Sequence, residues 1–171
     1  GLLQIIAFRT GSEISLESIG RDLQISKNTV EKYLDLFSKV FIIYSVSGFS
    51  KNRDNEITKM KKWYFVDNGI RNAIINSFNP LNTREDVGKL WENYLNSERI
   101  KKMSYTENFV HDYFWRTHTK QEFDRIEEKD EQLWAFEYKY GKVKAKIPSE
   151  LAKSYPDATF EIINQDNNLD Y

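Results

Sequence analysis

At 171 residues the chain has room for one ordinary domain or two small ones, and 40% apolar, 15% aromatic and 30% charged residues exclude a disordered chain. A formal net charge of -1 provides no global pull toward nucleic acid, so any basic surface must be local, and no apolar run approaches the roughly 20 residues of a membrane span. The absence of cysteine removes disulfides, thiolate nucleophiles and the usual zinc sites, and together with the lack of a signal peptide it makes the cytoplasm the expected location, with no membrane partner.

The first residue is Gly1 rather than methionine, and an apolar helical run, Leu2 to Phe8, follows at once. This reads as a fragment cut from a longer chain. No GxxxxGK[ST] phosphate loop occurs, so the piece is not expected to bind ATP in that way. Gly11 suits a helix C-cap. Ser15 then opens a helix whose Leu16, Ile19 and Leu23 share one face, Gln24 and Ile25 form a turn, and Ser26 caps a second helix with Val30, Leu34 and Ser38 as its stripe. Two short helices and a tight turn make a helix-turn-helix. Strand-like runs at 41–46 and 62–67 flank the locally basic stretch 51–62, giving a hairpin with a charged tip. The whole predicts a winged helix, which would set Lys27, Asn28, Thr29 and Lys32 in a major groove and Lys51, Arg53, Lys59, Lys61 and Lys62 on phosphates. DNA is the expected partner of that arrangement; a spacer or interaction module with a solvated lysine-rich tip is the alternative.

A short helix from Asn68 ends at the Asn79-Pro80 break, so the domains are drawn as 1–78, winged helix with a trailing helix, and 85–171. Residues 83–103 predict a long helix with the apolar stripe Val87, Leu90, Trp91, Tyr94, Leu95 and Ile100, and with Glu92 on its polar side. Three strands follow, at 108–117, 122–128 and 131–140, with the last two joined by a turn at Lys129 and Asp130; a helix near Ser149 and a closing strand at 158–164 complete an α-β-β-β-α-β order. His111 and His118 match no helical metal pair and read as exposed polar residues.

Strand alternation sets Glu122 and Asp124 on one face and Leu133, Ala135, Glu137 and Lys139 on one face of the next strand. If register brings those faces together, Asp124, Glu137 and the carbonyl of Tyr138 offer hard oxygen donors for Mg²⁺. Lys139 would neutralise developing charge, and Glu92 could complete the set. The bland reading is charge on the solvent face of a hairpin.

The ordered series "ESIGRDLQISKNTVEKYLDLFSKVFIIYSV", "KKWYFVDNGIRNAI", "LWENYLNSERIKK", "FWRTHTKQEFDRI" and "FEYKYG" resembles the C-terminal region of a prokaryotic family of AAA+-superfamily ATPases, over nearly the whole chain. The resemblance implies an upstream ATPase domain in cis, which alone would bind ATP, and a terminal fold similar to PD-(D/E)xK restriction-endonuclease-like nucleases. It implies catalytic roles for Glu92 as the helix acid, Asp124 with Glu122 as the strand acids, and Glu137 and Lys139 as the E-x-K. Tyr138 and Tyr140 depart from the small or aliphatic residues common around that lysine. The fold class expected is α/β (α+β), a winged helix-turn-helix followed by a restriction-endonuclease-like domain. The function expected is a DNA-directed module with metal-dependent phosphodiesterase chemistry, or else a non-catalytic protein-interaction or oligomerisation module with a vestigial nuclease fold.

Overall fold

A computed structural model describes residues 1–50, 61–117, 119–141 and 144–171. Among the described residues are seven strands, six α-helices and one 3-10 helix, a mixed α/β architecture. They gather into two compact units, one within residues 1–46 and 61–97 and the other within 47–50 and 98–171. None of the described helices is long and apolar enough to cross a membrane.

In the first unit, α1 (Leu2–Phe8) buries Ile6 and Ala7. Thr10 Oγ1 donates to the Ile6 and Ala7 carbonyls at 3.2 and 3.0 Å, satisfying acceptors that a helix end leaves open. The C-cap is Arg9 rather than Gly11. Gly11, at φ 71, instead turns the chain into a two-residue strand that the sequence did not announce, β1 (Glu13–Ile14).

Ser15 caps α2 (Leu16–Leu23) by accepting from the Ser18 N–H at 3.2 Å, and Ser26 caps α3 (Lys27–Lys39) by accepting from Thr29 at 3.1 Å. Between these helices the Ile25 N–H returns to the Gly20 carbonyl at 2.9 Å. A Cβ on Gly20 would stand 2.7 Å from the Ile25 carbonyl oxygen, so a turn this tight requires glycine there. Ile19, Val30 and Leu34 meet Ile6, Trp63 and Phe65 in one core.

β2 (Ile43–Gly48) begins later than the apolar run suggests, because Phe41 adopts φ 58 and donates its N–H to Ser38, finishing α3. β3 (Lys61–Phe65) lies between β1 and β2, pairing antiparallel with β1. The hairpin tip with Lys51, Arg53 and Lys59 lies outside the described residues.

Asp67 caps α4 (Asn68–Ile74) through Gly69 N–H at 2.6 Å. Arg71, 2% exposed, donates from Nε to the Ala7 carbonyl at 2.9 Å and from its terminal nitrogen to Asp86. Arg84 takes both oxygens of the same carboxylate at 2.8 Å and also reaches the Ser77 carbonyl at 2.6 Å. These contacts engage residues 84–86, and α5 accordingly starts at Val87 and runs to Tyr105. Its buried face is less apolar than the stripe suggested. Asn93 is fully buried, and its side-chain amide both accepts from Phe65 N–H (2.7 Å) and donates to Phe65 C=O (2.9 Å), doing for β3 what a neighbouring strand would do.

In the second unit, the strand order is β4 (His111–Arg116), β5 (Glu122–Lys129), β6 (Gln132–Tyr138), β7 (Thr159–Ile163). β5 is antiparallel to both neighbours. β6 and β7 are parallel, a pairing that needs a crossover, and α6 (Ser149–Ser154) lies in that connection. Trp115, Phe123, Ile126, Ala135, Leu151 and Tyr155 form the core of this unit. The β5–β6 turn is Asp130-Glu131, both with positive φ (50 and 64), one residue later than Lys129-Asp130, since Lys129 is still paired with Gln132.

Asp86→Asn is expected to cost about 3 kcal/mol at neutral pH, because it leaves two buried guanidiniums without a carboxylate. The Arg84 hydrogen bonds, opposed by burial and aided by Arg71, hold the Asp86 carboxyl well below its ordinary 3.8. The stabilisation is therefore complete above that ordinary value and declines as pH falls toward the folded one. Urea melts should show the gap between parent and variant narrowing from neutral pH to about pH 3.

Candidate functional site

The site begins with an irregularity in β5. Tyr113 of β4 pairs with Ile126 and Trp115 with Phe123, so Phe114 alone faces two residues, Asp124 and Arg125. This is a β-bulge. It puts Phe123 and Ile126, three apart, into the same core cluster, which strict alternation would forbid. The bulge also interrupts the alternation that assigned Glu122 and Asp124 to one face: Glu122 lies beyond it, on the rung with Arg116.

Pairing of β5 with β6 runs to Arg125 opposite Phe136, which makes Asp124 and Glu137 the next residues along the two strands. Asp124 Oδ2 accepts the Tyr138 N–H at 2.7 Å. Tyr138 thus presents its N–H to this carboxylate. Glu137 and Lys139 share a face, and the Lys139 ammonium binds Glu137 Oε1 at 2.5 Å. The Glu137 side chain is 13% exposed, and its second oxygen, Oε2, is buried with no hydrogen-bond partner. A carboxylate oxygen withdrawn from water without a donor is costly unless a cation occupies it. Asp124 and Glu137 therefore fit a hard divalent ion such as Mg²⁺ in donor chemistry. Among the described residues no group of three or more His, Asp or Glu side chains is assembled to hold a metal, so a set here consists of these two carboxylates and the Tyr138 carbonyl.

Glu92 has its own surroundings within the first unit. It accepts from Tyr64 OH at 2.6 Å, faces Lys62 Nζ at 3.6 Å, and lies against Gly11, where a Cβ would come within 3.0 Å of Oε2. Lys62, whose side chain is 2% exposed, is thereby turned to a carboxylate rather than to solvent. Lys27 is exposed and paired with Glu17 at 2.6 Å, while Asn28, Lys32 and Lys61 are exposed and Thr29 is half-buried, its hydroxyl 2.9 Å from that of Ser26.

Sequence reasoning missed the charge array on the other face of β5. Glu127, buried, receives Arg99 through both oxygens at 2.9 and 2.8 Å and Arg125 at 2.7 Å, and Arg125 also reaches Asp112 at 3.3 Å. The Arg99 guanidinium lies 4.5 Å from the centre of the Tyr171 ring and donates to the Tyr171 carbonyl at 2.6 Å. Burial alone would raise the Glu127 carboxyl, but the Arg99 hydrogen bonds and the Arg125 charge outweigh it and hold it below its ordinary value. Burial raises the phenols of Tyr138 and Tyr171, which are hydrogen-bonded to each other. The only signal in the sequence was Arg125-x-Glu127 within an otherwise well-filled strand, a pattern that exposed strands share.

Comparison with known proteins matches two stretches of the chain. Residues 1–81 are similar to a domain of unknown function (DUF8612). Residues 87–170 are similar to another domain of unknown function (DUF4143), one commonly found next to AAA ATPase domains. Neither match is to a AAA+ or nuclease family. No curated protein and no solved structure matches the chain.

Glu127→Gln is expected to lower stability by about 3–5 kcal/mol, because two guanidiniums lose their shared carboxylate in a site closed to water. The denaturant midpoint measures this, and Glu128→Gln, at the adjacent half-buried position, should change it by no more than about 0.5 kcal/mol.

Proposed function

We propose that this chain is the C-terminal module of an AAA+-type ATPase, and that its second unit hydrolyses phosphodiesters with a divalent metal at the Asp124–Glu137–Lys139 cluster. The observation that carries the reading is Glu137 Oε2: a buried oxygen without a donor, beside Asp124 on the neighbouring strand. The element order α5-β4-β5-β6-α6-β7, with β5 antiparallel and β7 parallel to β6, supports a restriction-endonuclease-like fold.

In this reading Asp124 and Glu137 would hold the ion with the Tyr138 carbonyl. When bound, the ion supplies Lewis-acid polarisation of the phosphodiester and lowers the pKa of attacking water. Tyr138 N–H fixes the Asp124 carboxylate in orientation. Lys139, whose ammonium pairs with Glu137, would neutralise charge developing on the phosphate.

The first unit is proposed to be a winged helix. A DNA-facing role rests on Lys27, Asn28, Thr29, Lys32 and Lys61. A protein-facing role is favoured by one feature: α3 exposes Tyr33, Leu36 and Val40 along a single line, side chains that suit an apolar groove better than a phosphate backbone. Charge reversal at Lys27 and Lys32 separates the two, since DNA binding should then weaken and lose part of its salt dependence.

The central test is divalent-dependent cleavage of DNA and RNA by the parent, Asp124→Asn and Lys139→Ala. Both variants should lose roughly 10²-fold or more in rate. Mg²⁺ or Mn²⁺ should raise the melting temperature of the parent and not that of Asp124→Asn. Equal cleavage by all three proteins would assign the activity to a contaminant. Absence of metal stabilisation in the parent would leave the fold as a non-catalytic interaction module.

A further inference from the structure

A concavity lies at the far end of β6 from Glu137, where the parallel β6–β7 pair begins at Trp134 opposite Thr159. Its volume is about 400 Å³, within the range of small-ligand sites. Leu133, Trp134, Tyr155 and Ala158 supply apolar and aromatic lining, and Glu131 and Asp157 supply two carboxylates. Neither carboxylate is ion-paired with a cation among the described residues. Leu133, Trp134, Tyr155 and Ala158 give a bare metal ion nothing to bind. An organic cation satisfies both halves of the lining at once.

Glu131 is the second residue of the hairpin turn, φ 64 after Asp130 at φ 50, and the turn sets its side chain at the edge of the cavity.

We infer that this cavity binds an arginine side chain presented by a partner polypeptide. The guanidinium is planar, stacks on aromatic faces and donates to carboxylates in fixed directions, and its aliphatic stem suits Leu133 and Ala158. A lysine ammonium or a free polyamine matches the charge but not the stacking. The cavity is at the opposite end of β6 from Asp124 and Glu137, so the inference does not depend on the phosphodiesterase reading.

Calorimetric titration of the 171-residue chain tests it, with the probe acetyl-Gly-Arg-Gly-amide, the same peptide carrying citrulline in place of arginine, and spermidine. The arginine peptide should bind saturably. The neutral citrulline peptide should bind at least tenfold more weakly, as should the arginine peptide to the Glu131→Gln/Asp157→Asn variant, while Asp124→Asn should bind like the parent. Should the double variant fold poorly, the citrulline comparison on the parent still decides. No saturable binding, equal binding of arginine and citrulline peptides, or tighter binding of spermidine than of the arginine peptide would each overturn the assignment.

Discussion

The second unit depends on one buried carboxylate. Glu127 receives Arg99 from α5 and Arg125 from its own strand, and Arg125 continues to Asp112 on β4. Three elements are therefore joined through charges withdrawn from water, where mutual attraction is strong and each missing partner is expensive. Hydrophobic contacts on the opposite face, around Phe123 and Ile126, could be met by several registers of an apolar strand. The ion array cannot slide, because shifting β5 by one residue would bring Arg125 and Glu127 to the apolar face and leave them unpaired.

That constraint reaches the candidate site directly. Arg125 is the second residue of the bulge and Asp124 the first. With Arg125 committed to the charged face and Phe123 to the core, Asp124 has little freedom, and its carboxylate closes on the Tyr138 N–H. The acidic cluster and the buried array are thus two sides of the same irregular strand. The first unit uses a different device: there a carboxylate between Arg71 and Arg84, and a side-chain amide that imitates a strand, join helices to sheet through polar groups.

Much of this was legible in the sequence where local physics decides. Ser15 and Ser26 cap helices because a serine oxygen before an apolar-periodic run has a backbone donor within reach, and Val30 and Leu34 are buried because they lie one helical turn apart. Glu137 and Lys139 meet because strand alternation puts i and i+2 on one side. What escaped was set by tertiary partners. Asn93 looks like a surface residue until Phe65 lies beside it, and Glu92 looks like an exposed helix acid until Tyr64 and Lys62 converge on it. The bulge left no compositional mark, having neither glycine nor proline, and it is what relates Glu122 to Asp124.

The bulge changes the phase of the strand, so that β5 before Asp124 and β5 after Arg125 follow opposite inward and outward rhythms. A motif written across it as acid-x-acid is then a statement about spacing along the chain and not about shared orientation. In a related chain with a regular strand, the acid equivalent in space to Asp124 would occur with a different spacing from Phe123. Such a chain would fail a pattern search while keeping the same site. Conversely, a chain with the same letters and no bulge would pass the search with both acids of the motif on one face, an arrangement different from this one.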